Sequence, residues 1–268
     1  MHHNTTPVSS AASHPADRPR FLTALPVFNE VRHVTTVLDE VAKYASDVLV
    51  VDDGSTDGTR ELLSKRNDVD VVLHAHNRGY GAALQTAFDY AVIRRYDVIV
   101  TIDCDGQHEP QRIVQFATGC QEDDIISGSR YLDQHQSMEG VPAERRRINQ
   151  QITADLNEKL DLHLTDAFCG FKAYCVGALA RLTLTETGYA MPLELWVQAA
   201  RHGLRIVERP IPLIYLDEDR SFGGELDSAE SRLAYYQAVI QRAMKKAGGS
   251  IETLADRTIS SADALPCS

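Results

Sequence analysis

The sequence predicts a single α/β domain with a mainly parallel central sheet flanked by helices, and three observations carry that prediction. Short runs rich in β-branched residues alternate with stretches of helical hydrophobic periodicity. Loops rich in Gly, Asp and Asn follow the second, third and fourth of those runs, at the carboxyl ends of strands where open α/β sheets bind ligands. A length of 268 residues with 43% apolar content suits one sizeable core.

Phe21 to Leu25 reads as the first strand, followed by Pro26 and a helix on which Val31, Val34, Leu38 and Val41 recur at helical spacing, with Asn29 as its N-cap. Asp47 to Val51 is the second strand. It runs into the turn-forming segment Asp52-Asp53-Gly54-Ser55-Thr56-Asp57-Gly58-Thr59 and a helix around Glu61 to Lys65. A third strand covers Val69 to Leu73. The loop Asn77-Arg78-Gly79-Tyr80-Gly81 then opens a helix that lasts to about Arg94. The apolar run Tyr96 to Ile102 is the fourth strand. Beyond it come a short strand at Asp124 to Ser127, a polar helix from Ala143 to Leu160, the segment Phe168 to Tyr174, a helix from Pro192 to Arg201 and an extended stretch from Arg205 to Tyr215. The last helix starts near Asp227 with Glu230 in capping-box position, and Leu233, Tyr236, Ile240 and Met244 form a stripe that favours docking on the core over a membrane surface, an alternative that Arg242, Lys245 and Lys246 keep open. Residues 1–19 and 248–268 lack periodicity and read as disordered tails around a domain spanning 20–247.

Composition excludes several classes. A formal charge of −11 offers no basic field for nucleic-acid phosphates. Five cysteines form an odd set without a CxxC pair, and no apolar signal segment opens the chain, which reads as a reduced, cytoplasmic protein. No run approaches the roughly 18 apolar residues that a membrane span requires, so any membrane contact is expected to be peripheral.

The chemistry concentrates in Asp103-Cys104-Asp105-Gly106-Gln107-His108-Glu109-Pro110. Residues i and i+2 of an extended segment share a face, so Asp103 and Asp105 are placed to meet one divalent cation. A hard cation takes oxygen ligands and keeps phosphate oxygens among them, which points to a metal-diphosphate site. Carboxylates at Asp52 and Asp53 suit ribose hydroxyls and base N–H groups. Arg130, Lys172 and the Arg145-Arg146-Arg147 run supply positive charge for anionic phosphate in an otherwise acidic chain.

Six segments in order, LPVFNE (Leu25–Glu30), VVDDGSTDGT (Val50–Thr59), NRGYGAAL (Asn77–Leu84), DCDGQHEP (Asp103–Pro110), GSR (Gly128–Arg130) and CGFKAY (Cys169–Tyr174), make the chain resemble glycosyltransferase family 2, within it the polyprenol-phosphate hexosyltransferases. The resemblance covers roughly Phe21 to Tyr215. It implies a GT-A fold that binds a GDP- or UDP-linked sugar and transfers the hexose with inversion at its anomeric carbon, polyprenyl phosphate being the leading acceptor. It places Pro26, Asn29, Glu30, Asp52 and Asp53 at the base and ribose, with Arg78 and Gly79 nearby. It assigns Asp103, Asp105 and Gln107 to Mg²⁺ or Mn²⁺ on the diphosphate. Glu194 occupies the position of the family's Glu-Asp pair and is the expected base for a hydroxyl acceptor. A phosphate acceptor, already ionised, needs none. The family's Arg-x-x-Gly-x-Ser-Lys acceptor loop is replaced here by Asp217-Glu218-Asp219-Arg220-Ser221-Phe222-Gly223-Gly224.

Plainer readings accompany several of these residues. Gly79 to Leu84 imitates a dinucleotide fingerprint but follows the third strand and ends in Leu84, which argues against a dehydrogenase. His74, His76 and His108 lack metal-ligand spacing, and His108 reads as a loop residue supporting the site. Cys169 and Cys175 read as packing residues. Arg145 to Arg147 is either a phosphate-binding run or a solvated helix face, and Asp166 is either a structural anchor or an acceptor-site residue. Besides a hydroxyl acceptor, the rival functions are a nucleotide-sugar binding module without turnover and a nucleotidyltransferase. The latter expects a basic Gly-rich loop after the first strand, which LPVFNE is not.

Overall fold

The computed structural model describes residues 19–133, 142–214, 226, 228–246 and 265–266. The strands are β1 (Phe21–Val27), β2 (Val48–Asp52), β3 (Asp70–Leu73), β4 (Val98–Thr101), β5 (Ile125–Ser129), β6 (Lys172–Cys175), β7 (Ile206–Pro210) and the two-residue β8 (Leu265–Pro266). They form one sheet in the order β7-β5-β6-β4-β1-β2-β3-β8. The pairs β4-β1, β1-β2, β2-β3 and β5-β7 are parallel. β6 runs antiparallel between β4 and β5, and β8 antiparallel beside β3.

The helices are α1 (Val34–Val41), α2 (Thr59–Leu63), α3 (Tyr80–Ile93), α4 (Ile113–Gly119), α5 (Ala143–Leu160), α6 (Val176–Leu179), α7 (Met191–Arg201) and α8 (Ala229–Lys246). Side chains along a strand alternate between faces. Leu22, Ala24, Leu49, Val51 and Ile99 therefore bury against Phe88 of α3, Leu156 of α5, Trp196 of α7 and Ile240 of α8. Their neighbours Leu25, Val27, Val48, Val50, Val98 and Val100 bury on the other face against Leu38 of α1, Leu63 of α2 and Phe116 of α4. Two helical layers thus cover both faces, as a mainly parallel sheet requires.

The α8 stripe docks as expected. Tyr236 and Ile240 are buried, and Leu233 and Met244 pack on the core at its margin. The capping box expected at Asp227 lies outside the described residues, as does the Asp217 to Gly224 segment. The expected N-cap at Asn29 is corrected: α1 begins four residues after the predicted helix start region, at Val34, with His33 preceding it. Asn29 instead sits at φ 57° and its Oδ1 accepts the Thr56 N–H at 2.8 Å. Asn tolerates the left-handed conformation, and its short amide ties one loop to the next rather than capping a helix.

Candidate active site

The carboxyl ends of β1 and β2 build the first wall of a cavity of about 890 Å³. Asn29 N donates to Ser55 Oγ at 2.9 Å, Glu30 N to Thr59 Oγ1 at 2.9 Å and Val31 N to Asp57 Oδ2 at 3.1 Å. These bonds stitch the two loops together and leave Pro26, Asn29, Glu30, Asp53 and Asp57 on the cavity lining. The neighbouring aspartates divide their work. Asp53 accepts Arg78 N at 2.9 Å and Gly79 N at 2.7 Å, with His74 Nδ1 at 2.6 Å, so it shapes the loop after β3 while lining the cavity. Asp52 is fully buried, pairs with Arg60 Nε at 2.6 Å and is absent from the lining, which corrects the expectation that both would face the nucleotide. Gly79 lines the cavity at φ 104°, where a side chain would stand 2.4 Å from the Thr187 carbonyl. Arg78 contributes its backbone to Asp53, and its side chain is exposed and off the lining.

Asp103, Asp105 and Gln107 all reach the lining, by a geometry other than the expected one. β4 ends at Thr101, and the acidic pair lies in a turn in which Asp105 Oδ1 accepts Gln107 N at 3.0 Å. Asp103 is held from two sides: Tyr80 OH donates to Oδ1 at 3.1 Å, and His108 Nε2 lies 3.2 Å from Oδ2. Burial opposes its ionisation, yet the bond and charge of His108 and the Tyr80 hydroxyl outweigh it and hold the carboxyl below its ordinary value. His108 is nearly buried, tilts over Phe171 at 5.6 Å and leaves Nδ1 without a partner. Gly170, before β6, presses on Asp103 so closely that a Cβ there would fall 2.0 Å from Oδ2. The donor set fits a hard divalent cation: two carboxylates and an amide oxygen line one wall. Among the described residues no three His, Cys, Asp or Glu converge, so the remaining ligands would be phosphate or water oxygens.

The far end of the cavity is cationic. Arg130 Nε and Nη2 grip Asp166 at 2.7 and 2.9 Å, and Asn149 Nδ2 donates to the same carboxylate at 2.8 Å. Asp166 is fully buried. Its burial would raise the pKa, but the Arg130 charge and hydrogen bonds drive it well below the carboxylate range, so Asp166 anchors Arg130. Arg130 lines the cavity with a quarter of its side chain exposed and has Nη1 left beyond the fork. Of the arginine run, Arg145 also lines the cavity while Arg147 is exposed, so the run divides between the two readings. Arg232 of α8, with Nη2 on Glu144 at 2.7 Å, joins the lining and carried no signal in the sequence beyond its place on an amphipathic helix. Tyr80, from the third loop motif, and Tyr236, from the last-helix stripe, also line it, together with Tyr189, which carried no signal in the sequence.

Two expected catalytic residues are corrected. Lys172 is 2% exposed, donates Nζ to the Cys169 carbonyl and lies 5.5 Å from the Trp196 ring, with its pKa lowered by burial. Its position on inserted β6 turns it into the core. Glu194 is buried on α7, where it accepts Thr185 N at 2.7 Å, Glu186 N at 2.6 Å and Thr185 Oγ1 at 2.9 Å. It caps the loop before α7 instead of entering the cavity. Cys169 is buried, which pushes its thiol up to about 12, the state of an inert packing residue.

A glycosyl transferase family 2 model matches residues 23–183. The chain is 33% identical over 221 residues to the undecaprenyl-phosphate mannosyltransferase of Micrococcus luteus, covering 78% of this chain and 90% of that one. It is 29% identical over 203 residues to the polyprenol monophosphomannose synthase of Mycolicibacterium smegmatis, covering 72% and 76%. Among solved structures it superposes on the Mycobacterium tuberculosis glucosyl-3-phosphoglycerate synthase complex with Mn²⁺, UDP and glucosyl-3-phosphoglycerate. The TM-score is 0.64 at 20% identity, over 86% of this chain and 81% of that one, a likeness of fold.

Proposed function

Because the chain belongs to glycosyltransferase family 2 and is a glycosyltransferase of GT-A-like fold, we propose that it transfers a hexose, with inversion, from a GDP- or UDP-linked donor to polyprenyl phosphate. One observation carries this reading: a single cavity joins the Asp103-Asp105 turn to the Arg130 end. The names of the relatives support a polyprenyl phosphate acceptor.

In this reading the base and ribose lie between the Pro26–Glu30 loop and Asp53, and Asp103, Asp105 and Gln107 would hold Mg²⁺ or Mn²⁺. When bound, the cation neutralises charge developing on the departing diphosphate. Arg130, oriented by Asp166, draws the acceptor phosphate to the opposite end through the donors that the fork leaves over. A phosphate oxygen is ionised at neutral pH and attacks the anomeric carbon without a base. The commitment of Glu194 to the Thr185–Glu186 backbone favours such an acceptor over a hydroxyl. Among the described residues no helix is long and apolar enough to cross a membrane. A cytoplasmic enzyme that meets its lipid at the membrane surface is the corresponding placement.

The test is Asp105→Ala, assayed by transfer of labelled hexose to polyprenyl phosphate and by the melting shift with GDP or UDP, each with and without Mn²⁺. Transfer and the metal-dependent shift are expected to vanish while the ligand-free melt stays put. Full transfer by the variant refutes the assignment.

A further inference from the structure

The two ends of the cavity are delivered by different strands, and a third strand holds those strands apart. Asp103 lies just beyond Thr101, the last residue of β4, and Arg130 follows Ser129, the last residue of β5. Between them runs β6, whose Lys172 is opposite Thr101 on one side and Ser127 on the other. Two strand spacings, roughly 9–10 Å, therefore separate the strand that carries the Asp103 turn from the strand that carries Arg130.

The chain that leads into β6 touches both ends. Asp166 anchors Arg130, and Phe168 N donates to the same carboxylate at 3.1 Å. A few residues further on, Gly170 presses on the Asp103 carboxylate. The carbonyls of this stretch are tied in several directions. Ala167 O accepts Trp196 Nε1 at 2.9 Å, Cys169 O accepts Lys172 Nζ, Gly170 O accepts Thr101 Oγ1 at 2.8 Å and Phe171 O accepts Gly128 N at 2.8 Å. The segment is a strap of fixed shape between the two ends.

Lys172 is its costly member. The side chain is 2% exposed, donates to the Cys169 carbonyl and faces the Trp196 ring at 5.5 Å, while the charges of Asp103 and Asp166 act on it from either side. Neither aspartate depends on it. Asp103 has Tyr80 and His108, and Asp166 has Arg130 and Asn149. An apolar residue of similar length would fill the space without desolvating a charge, so stability gives no reason for a lysine there.

We propose that Lys172 is a positioning residue for the transfer step: by locking the Cys169–Gly170 turn, it keeps the donor site at Asp103 and the phosphate site at Arg130 in register. It touches neither substrate. The proposal rests on the donor and acceptor reading above and deepens it. Because each end keeps its own clamp, loss of the lock spares binding at both and spoils their alignment.

The experiment is steady-state kinetics of the full chain with Mg²⁺, polyprenyl phosphate and, in parallel, GDP-mannose and UDP-glucose, for wild type, Lys172→Met and Thr101→Val. Both hexose transferred to the lipid and hexose released to water are measured. Lys172→Met is expected to lower kcat for transfer about 100-fold, the scale of a misplacement near 1 Å, with both KM values within about twofold. Donor hydrolysis stays near wild type, because water needs no alignment with Arg130, and the variant melts no lower than wild type. Thr101→Val is nearly isosteric and removes the other bond to the strap, so it is expected to lower kcat about tenfold with KM values held. That variant decides the matter if Lys172→Met does not fold, and unchanged transfer by it then overturns the lock. Transfer by folded Lys172→Met within about threefold of wild type, hydrolysis falling in step with transfer, or either KM rising as far as kcat falls also overturns it. A wild type that transfers from neither donor overturns the donor and acceptor reading and the lock with it.

Discussion

Gly170→Ala is the most exacting probe of the site, because it adds a single methyl group at a place where the structure has no room. The new Cβ would stand 2.0 Å from Asp103 Oδ2 and 2.5 Å from Cγ. To reach the 3.4 Å at which ordinary contact begins, the carboxylate must retreat by about 1.4 Å. The Tyr80 and His108 contacts, at 3.1 and 3.2 Å, then pass beyond hydrogen-bonding distance. Hydrogen bonds to a charged group contribute roughly 1.5–3 kcal/mol each. The Asp103 side chain is 29% exposed and regains part of that from water, so the expected loss is about 1–3 kcal/mol. In a domain of this size that lowers Tm by roughly 3–10 °C. The greater effect falls on metal-dependent donor binding, because the displaced oxygen is one of the expected ligands. Thermal melts with and without Mn²⁺ and nucleoside diphosphate report both quantities. Gly177→Ala is the control, since its Cβ would meet only Cys175 Sγ at 3.8 Å, and it is expected to be silent. A Gly170→Ala protein with wild-type melting and a wild-type metal-dependent shift would show that Asp103 is not held as described.

Two further outcomes follow from the charged groups. The Asp166 carboxyl is held below its ordinary value in the fold, so its contribution is complete above about pH 4 and disappears as pH falls through the folded value. Asp166→Asn should therefore melt several degrees below wild type at pH 7, with the gap closing in acid. A gap constant from pH 7 to pH 2 contradicts the ion-pair account. Glu194→Gln should lower Tm by a few degrees, since a neutral amide satisfies the Thr185 and Glu186 N–H groups poorly, while kcat per folded molecule and the pH–rate profile stay near wild type. A fall in kcat with unchanged melting would restore Glu194 as a base.

Most of the architecture could be read from local pattern. The polar helix Ala143–Leu160 appears with the predicted bounds, and the loops after β2, β3 and β4 meet in one cavity, because periodicity and turn residues are local signals. Asp53, Asp103, Asp105 and Gln107 reached the site for the same reason: each follows a strand end that the sequence marks. What local pattern does not encode is which way a side chain faces once a distant strand is inserted. Lys172 sits in a matching motif, but β6 enters the sheet antiparallel and points it into the core. Asp52 and Asp53 are adjacent and chemically identical, and only their tertiary partners, Arg60 for Asp52 and His74 with the Arg78–Gly79 backbone for Asp53, show which of them faces the cavity. Tyr189 and Arg232 come from opposite ends of a long stretch without motifs, and tertiary packing alone brings them to the cavity.

The late insertion of β6 has a consequence for how the polypeptide is made. The first four strands can pair as soon as they leave the ribosome, but the Val98–Thr101 edge waits for Lys172–Cys175, some seventy residues downstream. At about 5–20 residues per second, that edge stays open for roughly 4–14 s. It is wholly apolar but for its terminal threonine, and flat edges of that kind recruit other nascent chains. Newborn molecules therefore pass through an interval in which the strand beside the Asp103 and Asp105 carboxylates waits for its partner on that side.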